Sequence, residues 1–89
     1  MKNTARLFSV LSEPARLEIL GLLCRKEGCV SAIQLETGRN QPNVSQHLRV
    51  LKDAGLVSTR RDGKRICYLL ADKSVRGLLS AAEKVGVRT

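Results

Sequence analysis

The spacing of the apolar residues changes twice along this chain, and the two changes determine the order of its elements. Up to Gly55 the apolar residues recur at helical spacing, as they do on one face of an α-helix. Over 56–70 they follow a strand pattern, around an Asp62-Gly63 pair that favours a two-residue hairpin turn. Beyond Asp72, which can cap a helix, the helical spacing returns. The sequence therefore predicts a mainly α domain with a small β-hairpin, in the order α-α-α-α-β-β-α.

Glycines and capping residues divide the first part of the chain into four helices. Ser12 and Asn40 are good caps for the second and fourth helices, because their side-chain oxygens can accept backbone N–H groups. Gly28, Gly38 and Gly55 are expected to end the second, third and fourth helices. The four predicted helices cover about residues 4–11, 13–26, 30–37 and 41–54.

The length and composition exclude several classes of protein. A chain of 89 residues provides one small domain, predicted to span 1–89, and excludes a large multi-step enzyme. Hydrophobic residues make up 43% of the chain and charged residues 27%, which is typical of a folded protein. Aromatic residues make up only 2%, too few for the bases of single-stranded nucleic acid to stack on. Because no apolar run approaches a membrane span and no signal-peptide layout is present, we expect a soluble, cytoplasmic protein.

Positive charge is concentrated in the middle of the chain. Sixteen Lys and Arg residues against eight Asp and Glu residues give +8 overall, an excess that favours nucleic acid or an anionic membrane surface as the partner. The segment 39–65 holds seven basic and two acidic residues and therefore carries five of those eight net charges.

The fourth predicted helix combines a buried row with a polar outer face. Val44, Leu48 and Leu51 supply the buried row. A short helix that follows another through a Gly38 turn has the layout of a helix-turn-helix, whose second helix fits the DNA major groove. There, Gln side chains match adenine edges and Arg side chains match guanine edges. The candidate DNA-binding residues of this helix are Gln41, Asn43, Ser45, Gln46, Arg49 and Lys52.

The predicted hairpin follows directly and is basic around its tip. Its candidate DNA-binding residues are Arg60, Arg61, Lys64 and Arg65. Such a cluster is suited to phosphates or to the minor groove beside a recognition helix. The region 60–65 therefore has the position of a wing, and the expected partner is double-stranded DNA.

The last predicted helix, at about 72–85, is too apolar to be exposed on a monomer of this size. Its apolar stripe contains Val75, Leu78, Leu79, Ala82 and Val85. We therefore expect this helix to pair with a second subunit.

Three stretches of the chain occur together in an order and spacing that match a known family. They are LSEPARLEILGLL at 11–23, NQPNVSQHLRVLKDAGLV at 40–57 and RRDGKRICYLL at 60–70. In these stretches the chain resembles the ArsR-type winged helix-turn-helix repressors. The resemblance implies a homodimer joined by its first and last helices, which binds a palindromic operator and is released by a metal ion, a metalloid or another signal. Family members use the positions matching Gln41, Ser45 and Gln46 for DNA contacts.

The metal sites of that family are not matched in this chain. Arsenic-sensing members carry three cysteines at the start of the third helix, and arsenite needs three converging thiolates. The matching positions here are Cys29, Val30, Ser31 and Gln34. Zinc-sensing members carry Asp and His ligands on the last helix, where the matching positions are Asp72, Ser74, Val85 and Arg88. We therefore predict no metal site and no cofactor.

The three cysteines, an odd number, are expected to be reduced thiols. Cys29 lies before the third helix, near Arg25 and Lys26, where backbone amides and cations favour the thiolate. Cys24 is either a core residue or the partner of Cys29 in a disulfide or a shared soft-metal site. Cys24 and Cys29 are therefore the possible thiol sensor, and a role for Cys67 is left open. A ligand between the subunits, or no inducer at all, are the alternatives.

Two other classes of function compete with DNA binding. A winged helix can serve as a protein-interaction module whose basic face docks an acidic partner. An enzyme has no support, because the sequence shows no paired carboxylates, no Gly-rich phosphate loop and no evident nucleophile beside its single histidine. That residue, His47, shares a helical face with Val44 and Leu51. We expect it to be partly buried and hydrogen-bonded rather than a metal ligand.

Overall fold

A computed structural model describes residues 1–87, which form five α-helices and one three-stranded antiparallel sheet. In chain order the elements are α1 (Lys2–Leu11), α2 (Pro14–Arg25), β1 (Gly28–Cys29), α3 (Val30–Thr37), α4 (Gln41–Asp53), β2 (Val57–Asp62), β3 (Arg65–Leu70) and α5 (Ser74–Val85). Arg88, named in the zinc comparison, and Thr89, the end of the predicted domain, lie outside the described residues. Within 1–87, no helix combines the length and the apolar character needed to cross a membrane.

Helix α2 is the centre of the hydrophobic core. Its side chains Ala15, Ile19, Leu20 and Leu23 are buried, and the helix contacts α1, α3, α4, α5 and β3. Burying one side chain of the size of Leu or Ile contributes about 1.5–3 kcal/mol of stability. One central helix therefore holds the helix-turn-helix, the sheet and the last helix to a common core.

The predicted order of four helices, a hairpin and a last helix is confirmed, and the structure adds one strand. β1 has only two residues and pairs antiparallel with β3, so the strand order is β1-β3-β2. The expectation that Gly28 ends α2 is wrong. The helix ends at Arg25 because Lys26 is extended, with φ −164° and ψ 153°, and Gly28 lies in β1 opposite Tyr68.

The start of α2 also differs from the prediction. Glu13 is the N-cap: its backbone is extended, and its carboxylate accepts a hydrogen bond from the N–H of Ala15 at 3.2 Å. Ser12 keeps a helical backbone, with φ −72° and ψ −13°, and its hydroxyl donates to the carbonyl of Ser9 at 2.6 Å. Ser12 therefore ends α1 instead of capping α2.

The connection between α3 and α4 has the predicted caps. Gly38 ends α3 with φ 72°, a left-handed conformation that glycine adopts without steric cost. At the start of α4 the side chain of Asn40 accepts the N–H of Asn43 at 2.9 Å. Gly55, with φ 81°, follows the end of α4. These caps end α3 at Thr37 and start α4 at Gln41, so that only three residues connect the two helices of the helix-turn-helix.

The hairpin turn is shifted by one residue from the prediction. Asp62 pairs with Arg65 in the ladder between β2 and β3, so the two-residue loop is Gly63-Lys64 rather than Asp62-Gly63. Gly63 has φ 64°, and Lys64 does not have a positive φ. This is the pattern of a type II′ turn, whose first central residue takes the positive φ. Lys64 therefore lies at the tip of the hairpin.

Helix α5 is attached to the core at its first turn. The Asp72 carboxylate accepts the N–H of Ser74 at 2.8 Å, but it lies one residue before the N-cap of α5, which is Lys73 and not Asp72 as predicted. Hydrogen bonds from the backbone and side chain of Ser74 lower the pKa of the Asp72 carboxyl. Val75 is buried. Nε of Arg76 donates to the carbonyl of Cys24 at 2.7 Å. The start of α5 is therefore fixed to the end of α2.

Replacing Asn40 removes the side-chain cap of α4. We expect Asn40→Ala to lower the free energy of unfolding by about 1 kcal/mol, because one backbone N–H at the start of the helix loses its acceptor. Asn40→Asp, which keeps an acceptor at this position, should retain most of the stability. Urea unfolding followed by circular dichroism measures both variants, and equal losses in the two would contradict the capping role.

Candidate nucleic-acid interface

Helix α4 has one face in the core and one face in solvent. Val44, Leu48 and Leu51 are completely buried and recur at helical spacing, so the opposite face is directed away from the core. The candidate residues of this helix are all at least partly accessible. Gln41, Gln46, Arg49 and Lys52 are exposed, and Asn43 and Ser45 are half-buried.

Two candidate residues at the start of α4 hydrogen-bond to each other. The amide nitrogen of Gln41 donates to Oγ of Ser45, one helical turn later, at 2.9 Å. This bond orients both side chains on the outer surface of the helix. Because a hydroxyl that accepts one hydrogen bond can still donate another, Ser45 can contact a phosphate or a base edge while Gln41 holds it in place.

Asn43 has a partner within the chain. Nη1 of Arg39 lies 3.5 Å from Oδ1 of Asn43, and Nη2 of Arg39 lies 3.8 Å from the carboxylate of Glu18 on α2. Arg39 is therefore held between α2 and α4. The oxygen of Asn43 takes part in this contact, so its amide nitrogen is the remaining hydrogen-bonding group of the side chain.

The four cations predicted for the hairpin do not form a single cluster. Arg61, Lys64 and Arg65 are exposed at or beside the tip. Arg60 is also exposed, but it forms an ion pair with Glu27, which precedes β1. The hydrogen bond to the Glu27 carboxylate, together with its charge, raises the pKa of the Arg60 guanidinium. Sequence reasoning missed Glu27, because its contact with Arg60 depends on the pairing of β1 with β3.

A groove of about 430 Å³ lies between the recognition helix and the hairpin. Gln41 and Ser45 line it from α4, and Arg65 and Tyr68 line it from β3. Cys29, at the start of α3, contributes to the same lining. Two polar residues of α4 and the first half of β3 therefore border one concave surface.

The sheet aligns Cys29 with Cys67. The two residues are Cα partners in the antiparallel pairing of β1 with β3. Cys24 lies in the last turn of α2, and all three cysteines are half-buried thiols without a disulfide. The partnership of Cys29 with Cys24 stays a prediction. The cysteine that the strand register sets opposite Cys29 is Cys67, which the sequence pattern did not connect with it.

The surroundings of Cys29 favour its thiolate. Its Sγ lies 3.2 Å from Oγ of Ser31. Hydrogen bonds from the Ser31 hydroxyl and from the backbone N–H of Ala32 lower the pKa of the Cys29 thiol, and the charge of Arg65 acts in the same direction. A lower pKa increases the fraction of thiolate, which is the nucleophilic form.

The inner side of α4 carries the single histidine. His47 is half-buried, as predicted from its position on the face of Val44 and Leu51. Its Nδ1 is buried and has no hydrogen-bond partner among residues 1–87, so the expected hydrogen bond is not made at that atom. Over the same range, no group of three or more His, Cys, Asp or Glu side chains is placed to hold a metal ion.

Comparison with known proteins identifies relatives over most of the chain. Residues 13–59 match the family model described as bacterial regulatory protein, arsR family. Over 90% of its length the chain is 42% identical to a probable mercury resistance operon repressor from Streptomyces lividans. The match covers 64% of that relative, so the chain spans less than two thirds of its length.

Two solved structures share the fold at a similar level of identity. The first is the homodimeric winged helix-turn-helix DNA-binding domain of a possible ArsR-family transcriptional regulator from Mycobacterium bovis. It has a TM-score of 0.87 and 38% identity, covering 94% of this chain and 78% of that one. The second is the transcriptional repressor BigR from Xylella fastidiosa. It has a TM-score of 0.87 and 33% identity, and the match covers 99% of this chain and 90% of BigR. These likenesses confirm the winged helix-turn-helix fold, and the chain belongs to the ArsR family of bacterial regulatory proteins.

Proposed function

We propose that this protein is a homodimeric transcriptional repressor that binds a palindromic operator in double-stranded DNA. One observation carries the proposal: Gln41 and Ser45 on the polar face of α4 and Arg65 of the basic hairpin border the same groove. The segment 39–65, which contains both, also carries five of the eight net positive charges of the chain. A concave cationic surface beside an exposed helix is suited to the DNA backbone and the adjacent major groove.

In this proposal α4 enters the major groove. Gln41 and Gln46 can form paired hydrogen bonds with adenine, and Arg49 can do so with guanine. Ser45, oriented by Gln41 at 2.9 Å, contacts a base edge or a phosphate, while Lys52 and Asn43 serve as further contacts along the helix.

The hairpin contacts the DNA backbone or the minor groove beside α4. Lys64 at the tip, with Arg61 and Arg65 beside it, supplies the phosphate contacts. Arg60 is engaged by Glu27 and therefore lies at the rim of this contact rather than at its centre.

An exposed apolar surface on α1 and α5 supports the dimer. Phe8 on α1 is 54% exposed and Val85 on α5 is 81% exposed. Leu17 on α2, which is 40% exposed, borders a concavity together with Leu79 and Ala82 of α5. An apolar surface of this kind on a small domain marks a partner interface, and the Mycobacterium bovis relative is described as homodimeric. Pairing through α1 and α5 would repeat α4 at a separation of about one turn of DNA.

A repressor acts by occupying its operator, which involves no chemical conversion of a substrate. We therefore place the protein in the cytoplasm, with its operator, and assign it no enzymatic activity. Several relatives are named as repressors, including the probable mercury resistance operon repressor and BigR. Release from DNA by a thiol-reactive signal at Cys29, alone or with Cys24, is part of the proposal.

Removing a base contact should weaken specific binding far more than general binding. We expect Gln46→Ala and Ser45→Ala each to reduce affinity for a duplex selected from a random library by about 5- to 150-fold, the effect of one lost base contact. Affinity for random duplex should change little. Fluorescence anisotropy at fixed salt measures both. An equal loss on selected and random duplexes would contradict the assignment of α4 to the major groove.

Removing a phosphate contact should weaken binding to all duplexes alike. We expect Lys64→Ala to lower both affinities and to reduce the slope of log affinity against log salt concentration by about 1. Lys84→Ala on α5 makes the same change of charge outside the proposed interface and should leave the slope unchanged. No preferred duplex, a flat salt response and a stable complex with an acidic protein would instead identify a protein-interaction module.

Placing a charge on the apolar surface of α5 should weaken the dimer. We expect Val85→Glu to raise the dimer dissociation constant about tenfold or more, because a buried carboxylate without a partner is costly. Leu35 on α3 is 85% exposed and lies outside this surface, so Leu35→Glu should leave the dimer intact. Size-exclusion chromatography with light scattering measures both. A Val85→Glu protein that remains as dimeric as the wild type would overturn the assignment.

A further inference from the structure

Two of the three cysteines face each other across the sheet. Cys29 in β1 is the direct antiparallel partner of Cys67 in β3. Directly opposite residues of an antiparallel pair project to the same face, with Cα atoms about 4.5 or 5.5 Å apart. A disulfide requires Cα atoms about 4.4–6.8 Å apart. The register therefore places both thiols within reach of one bond after a small local movement of the two strands.

Two arginines share this face of the sheet with the thiols. Arg60 in β2 is the partner of Cys67 on its other side, and Arg65 lies two residues before Cys67 in β3. Since side chains alternate between the faces of a strand, all four residues project to the same face. The charge of Arg65 acts on the thiol of Cys29, and Arg60 interacts electrostatically with Cys67. The charge of Arg65 stabilises the thiolate of Cys29.

A small oxidant has access to this pair. Both cysteines are half-buried rather than enclosed in the core, and Cys29 lines the groove beside α4. The Ser31 hydroxyl, 3.2 Å from Sγ of Cys29, can donate a hydrogen bond to the thiolate. An accessible low-pKa thiol beside a second thiol is the arrangement in which oxidation stops reversibly at a disulfide.

The geometry points to Cys29 and Cys67 as a two-thiol oxidation site, which a hydroperoxide converts into a disulfide between β1 and β3, and this bond lowers the affinity for DNA. In this inference the partner of Cys29 is Cys67, whereas the sequence analysis named Cys24 as one possible partner. Its effect on DNA rests on the proposed function, whereas the formation of the disulfide does not.

The reaction proceeds in two steps. The Cys29 thiolate attacks one oxygen of the hydroperoxide: an S–O bond forms, the O–O bond breaks, and the alkoxide leaves with a proton as the alcohol. The product is a sulfenic acid on Cys29. The sulfur of Cys67 then attacks the sulfenic sulfur, so that an S–S bond forms and the S–O bond breaks. The hydroxide that leaves takes the Cys67 proton and becomes water. Two thiols and one hydroperoxide thus give one disulfide, one alcohol and one water.

The disulfide would couple the hairpin to the helix-turn-helix. Cys29 immediately precedes α3, and Cys67 lies in the hairpin strand that carries Arg65. A disulfide draws two Cβ atoms to about 3.8 Å, whereas opposite residues in a sheet hold them about 4.5–5.5 Å apart. Closing this gap shifts the hairpin relative to α3. Because Gln41, Ser45 and Arg65 line the groove beside Cys29, the shift changes the spacing between the two proposed DNA contacts.

Peptide mapping tests the bond directly, because trypsin separates the three cysteines. Cys24, Cys29 and Cys67 fall in the peptides 17–25, 27–39 and 66–73, respectively. After treatment with hydrogen peroxide and alkylation of remaining thiols, we expect a cross-linked 27–39/66–73 pair from the monomer band of a non-reducing gel. Cys24→Ser should give the same product. A 17–25/27–39 pair, a link found only between subunits, or sulfinic acid on Cys29 without a cross-link would each overturn the inference.

DNA affinity tests the consequence on the same samples. We expect oxidised wild type and oxidised Cys24→Ser to bind the selected duplex about fivefold or more weakly than the reduced proteins, a loss equivalent to one base contact, with recovery in dithiothreitol. Cys29→Ser and Cys67→Ser should not respond to peroxide, and circular dichroism checks their fold. An unchanged affinity in the fully cross-linked protein would overturn the coupling. A reduced protein that prefers no duplex would count against the proposed function and not against the disulfide.

Discussion

Burial of Val44, Leu48 and Leu51 against the α2-centred core is the contact on which the proposed DNA interface depends. These side chains fix the rotation of α4 about its axis, because turning the helix would expose an apolar row and bury a polar one. The direction of the polar face therefore follows from packing rather than from polar contacts. A change in this row would misdirect the interface even though none of its residues is proposed to touch DNA.

The helix ends show which local features are predictable from sequence. Asn40 and Gly38 are predicted correctly, because each cap depends on a few adjacent residues. Ser12 is not, because Pro14 disfavours a helical backbone at Glu13 and so makes Glu13 the N-cap. The predicted Asp62-Gly63 turn is also displaced by one residue, because the ladder between β2 and β3 includes the pair Asp62–Arg65.

In the candidate site, the residues on the helix were predictable from sequence, whereas the contacts made by the sheet were not. The outer face of α4 follows from helical spacing alone, so its candidate residues are placed correctly on the accessible side. A strand of two residues has no periodicity, and β1 could not be predicted. The alignment of Cys29 with Cys67 and the contact of Glu27 with Arg60 therefore required the structure. Cations adjacent in sequence also separate in space, because successive strand residues project to opposite faces.

The segment 24–27 contacts two parts of the molecule that lie far from it along the chain. At one end Arg76 of α5 holds the carbonyl of Cys24, and at the other Arg60 of β2 holds the carboxylate of Glu27. The guanidinium groups of Arg76 and Arg60 thus connect this four-residue segment to α5 and to the hairpin, respectively. A shift of α5 along α2 therefore has a path of direct contacts to the hairpin.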